Sequence, residues 1–97
     1  MLLTVNGDPI KYALAPEQMQ HGLKMYLEHG IEPGSFLTAV LKNDLMRAMG
    51  QPDHIMQYRI FELCSWLYNY APGGSYGSER NFQNWITERR KADREAS

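Results

Sequence analysis

Residues 30–45 read Gly-Ile-Glu-Pro-Gly-Ser-Phe-Leu-Thr-Ala-Val-Leu-Lys-Asn-Asp-Leu, and this stretch decides the fold. Gly30 predicts the end of one helix, because glycine readily adopts the left-handed conformation found just after helix ends. Pro33 and Ser35 predict the start of the next helix, since both residue types are favoured there. The apolar residues after Ser35 recur at helical spacing, and Asp44 falls within the same apolar arc. The second helix is therefore expected to carry a carboxylate on its buried side.

The composition indicates one small globular domain. The chain has 97 residues, of which 43% are hydrophobic, so it can bury a modest core. Its formal net charge of −1 gives no overall attraction to nucleic acid or to an anionic membrane. Cys64 is the single cysteine, which is typical of a reducing cytoplasm, although secreted proteins without disulfides exist. We expect neither a membrane-spanning segment nor a signal peptide.

The flanking segments extend this pattern into a mainly α fold of four helices. Asn6-Gly7 between two β-prone runs predicts an N-terminal β-hairpin over residues 1–14. Residues 15–86 are expected to form the helical core. The third helix, over residues 53–70, is the most apolar and is expected to be central. The apolar pattern then stops, which predicts an exposed helical extension over residues 87–97.

Asp44 and Arg59 are the first candidates for a site. Each lies on the apolar side of its predicted helix, and a buried charge needs a partner to offset its lost hydration. We expect the two to form a buried ion pair, or Asp44 to cap a neighbouring loop. A structural role is favoured over a catalytic carboxylate, because few acids or bases are placed to work with it. The residues alone leave both interpretations of Asp44 open.

We expect no catalytic residue, no metal and no cofactor. The histidines at positions 21, 29 and 54 lack the i, i+4 spacing of a metal pair. Cys64 has no recognisable base beside it and is expected to be an inert core thiol. The glycine-rich stretch 73–78 leads into a helix, where backbone amides can hold a phosphate, but it lacks the Walker spacing and lysine. A flexible connection between helices is the favoured interpretation.

Aromatic and arginine side chains are the candidates for contact with a protein partner, because these residue types dominate interface energetics. They are Tyr58, Tyr68, Tyr76, Arg89 and Arg90. Partial burial against neighbouring helices is the competing interpretation for the tyrosines, and it is at least as strong for Tyr68.

Nucleic-acid binding is the alternative function. The segment after Thr87 carries Arg89, Arg90, Lys91 and Arg94, which would contact phosphates. Acidic residues interleaved with them nearly cancel their charge, as is typical of a solvated helix.

Residues 29–45 also resemble a pattern found in small proteins of tailed bacteriophages and prophages. The pattern reads His-Gly-Ile-x-Pro-Gly-Ser-Phe-Leu-x-Ala-Val-Leu-x-Asn-Asp-Leu. Its later parts resemble Leu67-Tyr68-Asn69 with Ala71-Pro72, and Gly77-Ser78 with Trp85. The resemblance covers residues 22–86 and leaves out the hairpin and the extension.

This resemblance implies a non-enzymatic accessory protein in the cytoplasm of a bacterial host. Such a protein would bind and modulate or inhibit a host protein machine, for example a nuclease, a polymerase or a defence complex. The resemblance carries over no catalytic residue. We expect a monomer or a homodimer that binds no membrane.

Overall fold

The structure is a computed structural model that describes residues 4–5, 7–50 and 59–96. Two short strands, β1 (Thr4–Val5) and β2 (Asp8–Pro9), pair antiparallel with Val5 opposite Asp8. Two single turns of 3₁₀ helix follow, at Tyr12–Leu14 and Glu17–Met19. The described residues then form α1 (Gln20–His29), α2 (Ser35–Leu41), α3 (Leu45–Met49), α4 (Ile60–Tyr70) and α5 (Glu79–Ala96). The predicted mainly α fold with an N-terminal hairpin is confirmed.

The chain that follows the hairpin is fastened to α4 by one tryptophan. Trp66 Nε1 donates a hydrogen bond to the Lys11 carbonyl at 3.0 Å. The Tyr12 ring stacks on the Trp66 ring with their centroids 6.1 Å apart. A lone two-stranded hairpin is marginal in water, so this attachment to the helices stabilises it.

The core forms where α1 packs against α5. Helix α1 buries Leu23, Tyr26 and Leu27 on one face. The Tyr26 ring stacks on the Phe82 ring of α5 with centroids 5.2 Å apart. Trp85 Nε1, also on α5, donates to the Leu27 carbonyl at 3.2 Å. Apolar burial and hydrogen bonds thus join two helices that are far apart in sequence.

The expectation that the third predicted helix is central is wrong for its described part, α4. Leu63, Trp66 and Leu67 on α4 are buried. Phe61 and Tyr68 on the same helix are 80% and 81% exposed. Helix α4 therefore packs on the core by one side, whereas α1 contacts α5 and both 3₁₀ turns. The predicted residues 53–58 of that helix lie outside the described residues.

Gly30 ends α1 as predicted, and α5 crosses the chain at that point. Gly30 has a φ of 67°, and its amide donates to the Tyr26 carbonyl at 3.0 Å. Arg90 Nε donates to the Gly30 carbonyl at 3.1 Å. One turn further along α5, Asp93 Oδ2 lies 3.0 Å from His29 Nδ1. Residues 87–96 thus continue α5, and two of their side chains hold the end of α1.

The single helix expected to run from Ser35 past Asp44 is broken. Helix α2 ends at Leu41, and Asn43 takes a left-handed φ of 63°. Asparagine tolerates this conformation better than most residues. The Asp44 amide then donates to the Ala39 carbonyl at 2.8 Å, which closes the end of α2. Asp44 Oδ1 in turn accepts from the Arg47 amide at 3.2 Å and begins α3.

The expected buried ion pair between Asp44 and Arg59 is consequently wrong. The Asp44 side chain is 44% exposed, and its Oδ2 lies 3.4 Å from Arg47 Nε. The Arg59 side chain is 45% exposed and lies 2.7 Å from Glu62. The turn at Asn43 moves Asp44 off the apolar arc, because the two sides of the turn no longer share one helix axis. Asp44 acts as a helix cap.

Because α5 lies so close to Gly30, a methyl group added at Gly30 is expected to destabilise the folded protein strongly. A Cβ at Gly30 would lie 2.8 Å from the Ile86 carbonyl oxygen and 2.9 Å from Arg89 Cβ. We expect Gly30→Ala to lower the free energy of unfolding by about 2–4 kcal/mol, since left-handed backbone strain adds to a steric clash. Urea unfolding measures this change.

Gly73→Ala is the matched control. Gly73 is exposed, and a methyl group added there would meet no atom within 4 Å beyond its chain neighbours. Its free energy of unfolding is expected to change by less than about 0.5 kcal/mol. Equal effects of the two alanine variants would contradict the role assigned to Gly30.

Candidate functional site

An open groove of about 260 Å³ lies between α4 and the junction of α2 and α3. Its apolar lining consists of Val40, Leu45, Cys64, Leu67, Tyr68 and Tyr76. Asn43 and Gly77 complete it. Among the described residues that line this space, none carries a formal charge at neutral pH. We call it the apolar groove.

The turn at Asn43 builds one wall of the apolar groove. It redirects the chain after α2, so that Val40 and Leu45 line the groove from two different helices. Leu45 is the first residue of α3 and is 46% exposed. In a continuous helix these two residues would lie about 140° apart around the axis, on different sides of it. The Asn-Asp junction therefore shapes the groove as well as the fold.

The loop before α5 supplies the wall that carries Tyr76. Tyr26 donates from its hydroxyl to the Ser75 carbonyl at 2.7 Å, and Ser75 is fully buried. The Gly77 amide donates to the Leu41 carbonyl at 2.9 Å. Asn81 Nδ2 donates to the Tyr76 carbonyl at 3.0 Å. The glycine-rich stretch is thus tied to the core and is not the flexible connection expected from its composition, and its Gly77 amide is committed to Leu41.

Two of the three predicted contact tyrosines meet at the apolar groove. Tyr68 stands at the rim and is 81% exposed, which rules out the competing interpretation of partial burial. Tyr76 lines the groove with its ring packed against the core. Tyr58 lies outside the described residues.

The predicted contact arginines do not line the apolar groove. The Arg89 guanidinium carbon lies 5.1 Å from the centre of the Trp85 ring, a cation–π contact within α5. Arg90 binds the Gly30 carbonyl. Lys91 and Arg94, the other two residues of the nucleic-acid alternative, lie on the exposed part of α5. The structure therefore separates the arginines from the tyrosines.

Asp44 lines a different cleft of about 350 Å³. Glu32, Lys42 and Arg47 line the same cleft, so it holds both signs of charge. Both oxygens of Asp44 face Arg47, one towards its amide and one towards its guanidinium. This arrangement supports the structural interpretation of Asp44.

Two of the three histidines fall within the described residues, and both are on α1. His29 pairs with Asp93, His21 is exposed, and His54 lies outside the described residues. Within residues 4–5, 7–50 and 59–96, no three histidine, cysteine or acidic side chains cluster in a way that would hold a metal ion.

Cys64 lies half-buried in the wall of the apolar groove rather than in the core. Burial raises the pKa of its thiol above the ordinary value. The sulfur therefore stays protonated and uncharged at neutral pH, which makes it a poor nucleophile. A neutral thiol also adds no charge to the groove.

Sequence reasoning missed Leu45, Cys64 and the exposed ring of Phe61 as surface features. Helix α4 carries more apolar residues than one buried face can hold, and that excess was the available signal. Phe61 lies on the same strip of the helix as the polar Ser65, which places it in solvent.

Comparison with protein-family models, with curated proteins and with solved structures finds no match to this chain. Of the helices in the described part of the chain, none has both the length and the hydropathy needed to cross a membrane.

The Tyr26 hydroxyl holds the loop that carries Tyr76, so its removal is expected to destabilise the protein. Tyr26→Phe removes the hydrogen bond to the buried Ser75 carbonyl and is expected to lower the free energy of unfolding by about 1–2 kcal/mol at neutral pH. Urea unfolding measures it. The exposed Tyr68→Phe is the control and is expected to change stability little.

Tyr26→Phe is also expected to change how the free energy of unfolding depends on pH above about pH 10. Burial raises the pKa of Tyr26, so its stabilising effect is complete below the ordinary tyrosine pKa of about 10. Above that pH the unfolded state loses its proton first, and stability falls by about 1.4 kcal/mol per pH unit from this group. Tyr26→Phe is expected to lack this contribution. An unchanged alkaline slope would contradict the assignment.

Cys64 is expected to react slowly with a disulfide reagent such as DTNB. Its raised pKa lowers the thiolate fraction, and the groove walls limit access. In the folded protein the rate is expected to be about ten-fold below the rate in concentrated urea at the same pH. Absorbance at the thionitrobenzoate band follows the reaction. Equal rates would show an accessible, activated thiol instead.

Proposed function

We propose that this protein is a non-enzymatic accessory protein of a tailed bacteriophage or prophage. It acts in the cytoplasm of the bacterial host, where it binds and modulates or inhibits a host protein machine such as a nuclease, a polymerase or a defence complex. The phage part rests on the resemblance at residues 29–45. The binding part rests on one observation, the uncharged apolar groove with Tyr68 at its rim.

The groove has the properties of a pocket for one apolar side chain of a partner. Its 260 Å³ is several times the volume of a water molecule, which is about 30 Å³ in the liquid. The described residues of its walls carry no formal charge that would lose hydration when a partner covers them. The Tyr68 and Tyr76 rings flank it, and tyrosine is enriched among the residues that contribute most to binding energy.

The chemistry of the groove supports recognition rather than catalysis. Cys64, the one thiol among its described lining residues, is held in the protonated form by burial. The described residues that line the groove include no histidine and no carboxylate to act as a base.

The contacts of α5 weigh against the nucleic-acid alternative. Arg90 donates to the Gly30 carbonyl, and Arg89 covers the Trp85 ring. Asp93 and Glu88 lie on the same helix and repel phosphates. These arginines support the packing of α5 on α1.

The test is capture of the tagged protein's partners from bacterial lysate, with and without nuclease, read by mass spectrometry. Leu45→Glu places a charge in the groove, at the first position of α3, where a carboxylate suits the helix dipole. We expect wild type to retain a stoichiometric host protein after nuclease treatment. Leu45→Glu is expected to weaken its binding by about 10- to 30-fold, the loss typical of an interface centre.

Gln83→Glu is the matched control, because it adds the same charge at an exposed position of α5 outside the groove. It is expected to bind like wild type. Recovery that disappears with nuclease would replace this proposal by the nucleic-acid alternative. Equal binding by Leu45→Glu and Gln83→Glu would show that the groove is not the contact surface.

A further inference from the structure

We draw no further inference here: the strongest candidate, the exposed apolar patch that Phe61 and Tyr68 form on the outer side of α4, carries no proposal because nothing in the structure shows what covers it.

Discussion

The docking of α5 onto the end of α1 is the contact on which the rest of the structure depends. The last carbonyls of a helix lack partners within the helix. Here Trp85 supplies a donor for Leu27, and Arg90 supplies one for Gly30. Gly30 permits this approach because it has no side chain between the two helices. Tyr26, on the same helix, reaches the loop before α5, so α1 positions both that loop and α5.

Three polar side chains in the described part of the chain hold its backbone. Asp44 caps α3, Arg90 caps α1, and the Tyr26 hydroxyl holds the loop. The described side chains that line the apolar groove are apolar or neutral, Tyr68 among them. An uncharged, aromatic-lined surface suits contact with protein better than contact with phosphate. Recognition is therefore proposed at the groove and not along α5.

Local rules predicted the features that depend on neighbouring residues. The hairpin and the end of α1 at Gly30 follow from turn and cap chemistry that is written within a few residues. The break at Asn43 was missed because apolar residues on both sides of it keep the spacing of one helix. The apolar groove was missed for another reason, since its walls come from three separate elements and only the folded chain assembles them. The bond from Tyr26 to Ser75 spans 49 residues, beyond the reach of any periodic pattern.

The separation of Gly30 from Arg90 by 60 residues also has a consequence for synthesis of the chain. Ribosomes add about 5–20 residues per second, so α1 is made about 3–12 seconds before the part of α5 that covers its end. During that interval its face of Leu23, Tyr26 and Leu27 has no α5 to pack on. A nascent chain of this kind offers a transient binding site for ribosome-associated chaperones, and a stall of translation between these helices would prolong its exposure.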